Sequence, residues 1–332
     1  MEQINSKQDL INYFEKGCKK ENQLSIGVEH EKFIFDNSTN QRANFKTISK
    51  IFNFLEQFGW KTIKERDCVI GLSREGQSIT LEPGNQIELS GAKLNSIHLN
   101  CSESYKYLDE LRKACKKLNL KMMSVSFDPF TKLENVPQTP KQRYEIMTKE
   151  MPKDGKLSLH MMYQTCGTQI NLDYISEKDF IKKFKLSSFL TPISIAIFAN
   201  SPIVENSLSG YLSYRSKVWQ NTSRAGLPKI FLEDMDFEKY TDFVINKPLL
   251  FVIKNSKLLS FSNLSIVISD FVLLLVNILS TLRKKIDSSF PLSFLIDLLS
   301  RPFFDKFKKK FPHSNNVLLF RTVFKPFLGA SI

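Results

Sequence analysis

The chain is 332 residues long, 42% hydrophobic and 24% charged, which suffices to bury a full core and excludes global disorder. Its five cysteines (Cys18, Cys68, Cys101, Cys115, Cys166) are widely spaced with no C-x-x-C pair, which argues against a disulfide framework or zinc site and points to the reducing cytoplasm. The net charge of +13 is uneven: residues 256–332 hold 11 Lys and Arg against 4 Asp and no Glu, and 11 of the 12 glycines precede them. Residues 1–255 therefore read as one enzyme-like region and residues 256–332 as a divergent segment.

In chain order, the first residues (MEQINSKQDLINYFEKGCKK) show neither an apolar signal core nor Arg/Ser-rich transit character, so a mature soluble start is expected. Ser6, Asp9 and the apolar Leu10, Tyr13 and Phe14 predict a capped helix ending near Gly17. Alternation around Ile26, Val28, Phe33 and Phe35 predicts a strand, and Asn44 to Leu55 returns to helical spacing before Gly59. Gln77–Leu81 and Gln86–Leu89 read as a hairpin closed by Glu82-Pro83-Gly84-Asn85. Helices follow at Leu94–Leu118, from Gln138 to Met151 and over Glu177–Asn200, with a strand at Gly167–Tyr174. The pattern is α+β with an antiparallel sheet.

Chemistry concentrates in two segments. In IGVEHEKFIF, Glu29 and Glu31 lie two apart, so on a strand they share a face with about 7 Å between their Cα atoms. Glu82 and Glu88 stand at the turn and the returning strand of the hairpin, and four such carboxylates repel one another unless a cation is present. Hard oxygen ligands of this kind suit Mg²⁺ bound to nucleotide phosphates. Against that, an isolated E-x-E is commonly a polar stripe, and Glu82 and Glu88 could serve as a turn cap and an edge charge. His30 points to the opposite strand face from Glu29 and Glu31 and reads as structural. Met161 and Met162 read as core.

The motifs V-E-H-E-K-F (from Val28) and S-I-T-L-E-P-G-N-Q-I-E-L-S-G-A (from Ser78) resemble the plant and proteobacterial type of glutamate–cysteine ligase. So do P-K-x-R-Y-x-I-M from Pro140, M-M-x-x-T-C-x-x-Q-x-N-L-D from Met161, F-A-N-S-P from Phe198 and Y-R-S-x-x-W from Tyr214, in the same order. The resemblance implies a glutamine-synthetase-like fold with a curved antiparallel sheet flooring the active site. It implies Mg²⁺- and ATP-dependent phosphorylation of the γ-carboxylate of L-glutamate, attack by the amine of L-cysteine and release of γ-glutamylcysteine, the first step of glutathione biosynthesis. It places Glu29, Glu31, Glu82, Glu88 and Gln169 at the metals. It places Arg143 at phosphate or substrate carboxylate, Tyr144 beside the cysteine pocket, Arg215 on the glutamate α-carboxylate and Trp219 as a wall.

The resemblance ends near residue 255. The family's R-x-x-E-x-R-G-x-D segment has no counterpart, since no glutamate follows Glu238. A truncated or frame-altered tail is the expectation, and it leaves two other readings open: an impaired homologue that binds glutamate or nucleotide, or a membrane-attached derivative. The apolar Ser265–Leu282 stretch and the Phe/Lys face of Arg301–Phe311 are read as packed or surface helices rather than membrane contacts, and no nucleic-acid module accompanies the charge. A homodimer is compatible with this reading.

Overall fold

The structure, a computed structural model, describes residues 6–260 except 66, 154, 223–228, 248–249 and 255–256. Both segments singled out in the tail, Ser265–Leu282 and Arg301–Phe311, lie outside these residues. The chain divides into two compact units, Glu15–Leu258 and a second made of Met1–Phe14 and Leu259–Ile332. Glu31, Glu82 and Glu88 all belong to the first unit.

Its elements run α1 (Lys7–Lys16, which begins in the other unit), β1 (Ile26–Asp36), α2 (Phe45–Leu55), β2 (Lys61–Glu65), β3 (Cys68–Arg74), β4 (Gln77–Leu81), β5 (Ile87–Ser90), α3 (Ile97–Lys117) and β6 (Leu120–Met123). They continue with α4 (Gln142–Glu150), α5 (Ser158–Gln164), β7 (Thr168–Leu172), α6 (Glu177–Ile197), β8 (Ile203–Val204), β9 (Ser207–Leu208), α7 (Tyr214–Trp219) and α8 (Phe237–Ile245). Seven strands form one antiparallel sheet in the order β2-β3-β4-β5-β1-β6, with β7 beside β6 on the same edge of β1. The architecture is α+β.

Strand β1 organises the unit because its two faces are chemically distinct. Successive side chains alternate across a strand, so Glu29, Glu31, Phe33 and Phe35 share one face while Ile34 belongs to the other. On Ile34's side, Ile48, Ile51, Phe52 and Leu55 of α2 and Leu111 of α3 bury against Leu72, Ile79, Leu81, Ile87 and Leu89 of the sheet. Each of these side chains contributes about 1.5–3 kcal/mol when fully removed from water. Helix α2 starts where Asn44 Oδ1 accepts from Thr47 N at 2.9 Å, and α3 where Ser96 Oγ accepts from His98 N at 3.2 Å. On the opposite face the apolar run is short: Phe33 and Phe35 pack with Cys166, and the polar half of the strand is left to line a site.

Two differences from the sequence reading have physical causes. The β2–β3 hairpin was not expected, because Lys61–Glu65 is an edge strand whose charged residues conceal its period. The M-M motif, read as core, falls on α5, where Met162 is buried with Val136, Met151 and Tyr163 and Met161 packs partly buried against the same cluster. Helix α4 starts at Gln142 rather than Gln138, since Thr139 N donates to Pro83 O at 2.9 Å and Lys141 N to Thr139 O at 2.8 Å.

Candidate active site

The site is built where β1, β5 and the turn after β4 meet. The register of β1 on β5 sets Glu31 opposite Glu88, and β4 on β5 sets Thr80 opposite Glu88. Glu82 follows directly in the turn. One carboxylate oxygen from each of Glu31, Glu82 and Glu88 lies within 4.8 Å of the others, and all three residues are half-buried.

Like charges this close raise one another's proton affinity. Burial, with Glu82 and Glu88 beside it, pushes the Glu31 carboxyl up to about 7, although Gly167 N donates to its Oε2 at 2.6 Å. Burial and the neighbouring Glu82 raise Glu88 too, against a 2.7 Å hydrogen bond donated by Ser90 Oγ. The donor set is all carboxylate oxygen and half-buried, which fits a hard divalent cation such as Mg²⁺.

Two guanidinium groups flank this triad. Arg143 Nη2 is 4.0 Å from Glu82 Oε1 and donates to Tyr144 OH at 2.6 Å. Tyr144 is buried, and its hydroxyl lies 2.9 Å from Leu81 O and 3.2 Å from Glu82 Oε1. It therefore supports the Glu82 turn from beneath. Arg215 sits at the Glu31 end, where its guanidinium carbon is 5.4 Å from the centre of the Trp219 ring. Its Nε is buried with no acceptor. Gly167 makes room here, because a Cβ at that position would stand 3.1 Å from Arg215 Nη2.

Glu29 and Gln169 occupy the same face one register step away. They pair across β1 and β7, and Asn171 joins them: its Nδ2 donates to Glu29 Oε1 at 3.0 Å and its Oδ1 accepts from Gln169 Nε2 at 3.0 Å. Of the five residues expected at the metals, three converge and two form this neighbouring polar group. His30 faces the other way, with Nε2 3.0 Å from Ser104 Oγ of α3.

Lys141 was not singled out, although it lies inside P-K-x-R-Y. It is buried, donates from Nζ to Leu81 O at 2.7 Å, and burial together with Arg143 lowers it to about 8 despite Glu82 and Glu88 nearby. Ser90 and Asn171 stand at specified positions of the quoted motifs but were given no role, and Gly167 falls on an unspecified one.

A family model described as glutamate-cysteine ligase family 2 (GCS2) matches residues 25–292. The chain belongs to this family. The match to glutamate-cysteine ligase family 2 runs past residue 255, where the motif resemblance ends. Among relatives named "glutamate–cysteine ligase, chloroplastic", the Nicotiana tabacum protein is 41% identical over 264 residues, covering 78% of this chain and 51% of that protein. The Arabidopsis thaliana protein is 40% identical over 256 residues, covering 76% and 49%. Glutamate–cysteine ligase A, chloroplastic, of Oryza sativa subsp. japonica is 42% identical over 264 residues, covering 78% and 54%. The chain spans about half the length of these family members.

The names of these relatives overturn the cytoplasmic expectation. The five cysteines are all free, which does not single out a compartment. Among the described residues, no helix is long and apolar enough to cross a membrane.

Proposed function

We propose that the chain carries the phosphate- and glutamate-handling site of an ATP-dependent ligase that joins the γ-carboxylate of L-glutamate to the amine of L-cysteine. The observation that carries this reading is the half-buried Glu31–Glu82–Glu88 triad with a guanidinium at each end. A carboxylate is a poor electrophile, so it must be activated, here as a γ-glutamyl phosphate formed from ATP with release of ADP, whose acyl carbon the cysteine amine then attacks with loss of a proton and release of inorganic phosphate. Bound Mg²⁺ would supply charge neutralisation for the transferring phosphoryl group, with Glu31, Glu82 and Glu88 as its protein ligands.

The chain's own residues bind and orient. Arg215, with its Nε donor unspent, presents a planar fork suited to the α-carboxylate of glutamate, and Trp219 forms the wall beside it. Arg143, whose side chain is half exposed, faces the phosphoryl group and stabilises charge developing there. Tyr144 keeps Arg143 and Glu82 in mutual register and borders the cysteine subsite. Glu29, with Gln169 on the adjoining strand, extends the acidic face toward a further nucleotide-bound Mg²⁺. The compartment that comes with this reading from the relatives is the chloroplast.

ADP release by the full chain with Mg-ATP and glutamate, with and without cysteine, tests the reading alongside detection of γ-glutamylcysteine. Cysteine-dependent product is expected. A second reading, binding without turnover, is favoured by the lack of any glutamate after Glu238. It predicts saturable binding of Mn²⁺ or glutamate and no ADP.

A further inference from the structure

Glu31 and Glu88 owe their separation to strand register, whereas Glu82 lies in the turn beyond the last paired residues of β4 and β5, where a single ladder-like bond, Glu82 N to Gln86 O at 2.9 Å, holds it. That turn is nevertheless tightly enclosed. A Cβ on Gly84 would stand 2.5 Å from the Tyr163 carbonyl oxygen and 3.0 Å from Val136. Asn85 adopts a left-handed φ of 59°, a conformation that asparagine tolerates and surroundings must hold.

One side chain ties this turn to the loop that leads into Arg143 and Tyr144. Thr139 is 3% exposed. Its N–H donates to Pro83 O at 2.9 Å, and its Oγ1 accepts from Asn85 N at 3.2 Å while lying 2.5 Å from Glu82 O and 2.8 Å from Asn85 Oδ1. A hydroxyl has one proton, and the shorter contact assigns it to Glu82 O. That carbonyl also receives Asn85 N at 3.0 Å, so Thr139 closes a triangle around the backbone of the metal-ligand residue. Thr139 itself offers no carboxylate to the triad, yet its bonds go to the turn that carries the Glu82 carboxylate.

Resting on the metal-site reading above, we propose that Thr139 is a positioning residue for Glu82. Its hydroxyl and N–H fix the Glu82–Asn85 turn, and through that turn the placement of the third carboxylate against Glu31, Glu88 and Arg143. Partners that orient a metal ligand without touching the ion govern affinity nearly as strongly as ligands do.

The test is a Mn²⁺ titration of the full chain, followed by electron paramagnetic resonance without nucleotide, on wild type, T139V and T139S, with thermal unfolding of each. T139V keeps the side-chain volume and removes the hydroxyl; its Mn²⁺ Kd is expected to rise about tenfold, with T139S returning to within about threefold of wild type. A folded T139V that binds Mn²⁺ as wild type does, or a T139S that fails to restore binding, overturns the proposal. If T139V does not fold, T139A is measured in its place; failure of both to fold puts Thr139 in the fold rather than at the site and also overturns it. A wild-type chain that binds no Mn²⁺ refutes the metal-site reading itself, a different result from a wild type that binds and a T139V that binds equally.

Discussion

Glu31 and Glu88 stand directly opposite each other on β1 and β5, two carboxylates in one cross-strand pair on a half-buried face. Such a pair opposes folding when both are ionised, and Glu82 adds a third charge within 4.8 Å. The arrangement is stable in a fold only if protons or a cation neutralise it.

The pH dependence follows with a definite sign. The Glu31 carboxyl is raised from an ordinary 4.5 to about 7, so between those values the metal-free folded chain holds a proton that the unfolded chain has released. Stability from this group therefore falls as pH rises through that window, and the penalty is complete above about 7 and absent below about 4.5. E31Q removes it. The midpoint of thermal unfolding without metal should be higher for E31Q than for wild type at about pH 8, with the gap closing toward about pH 4.5. Added Mg²⁺ should raise the wild-type midpoint most at the alkaline end. A gap that does not vary with pH would show that Glu31 carries no raised carboxyl.

Glu82 and Glu29 should separate in a direct binding measurement. Glu82 contributes an oxygen to the triad, whereas Glu29 Oε1 accepts from Asn171 in the neighbouring group. In a Mn²⁺ titration without nucleotide, E82Q should weaken binding by about 10- to 100-fold, and E29Q by less than about threefold. Equal losses for both variants would mean that the cation is held across the two groups rather than at the triad.

How much of this site the sequence disclosed depends on the range of the interactions. The hairpin around Glu82-Pro83-Gly84-Asn85 was legible because alternation and a Pro-Gly turn are local signals, and β4 and β5 lie where they point. The E-x-E spacing put Glu29 and Glu31 on one face, as β1 does. It could not separate them, because the residue that draws Glu29 aside, Asn171, is 142 positions away. The same holds for the late start of α4: the sequence offers Thr139-Pro140 as a helix opening, but Thr139 directs its backbone and side-chain donors, and Lys141 its side-chain donor, to the Leu81–Asn85 segment. Lys141 stayed hidden because a lysine in a polar loop reads as solvated, and only the fold buries it.

Gly167 is where glutamate recognition can be tested without removing a charge. A Cβ there would press to 3.1 Å on Arg215 Nη2, the flexible end of a side chain that can yield by a few tenths of an ångström, and would lie 3.8 Å from Glu31 Oε2. G167A should fold with a stability change under about 1 kcal/mol. Because Arg215 is displaced but retained, KM for glutamate should rise several-fold while kcat changes less. If KM is unaltered, Arg215 does not hold the glutamate carboxylate.

A buried ion pair frames the Glu82–Asn85 turn. Arg42 and Asp128 form an ion pair at 2.7 Å with side chains 1% and 0% exposed, Arg42 also donates to Gly84 O, and its guanidinium lies 4.4 Å from the centre of the Phe33 ring. Breaking a buried pair from one side leaves the other charge uncompensated, at about 3–5 kcal/mol. R42M should approach the lower end of that range, because Asp128 Oδ1 still accepts from Phe130 N and Thr131 N at 2.9 and 3.0 Å. The double variant R42M/D128N should recover part of the loss, since it removes the stranded charge. Guanidinium unfolding of the three chains measures this, and a double variant less stable than R42M would show that Asp128 serves the loop through its own hydrogen bonds more than through Arg42. Mn²⁺ affinity on the same samples should fall for R42M and stay low for the double variant, because neither restores the donor to Gly84 O two residues from Glu82.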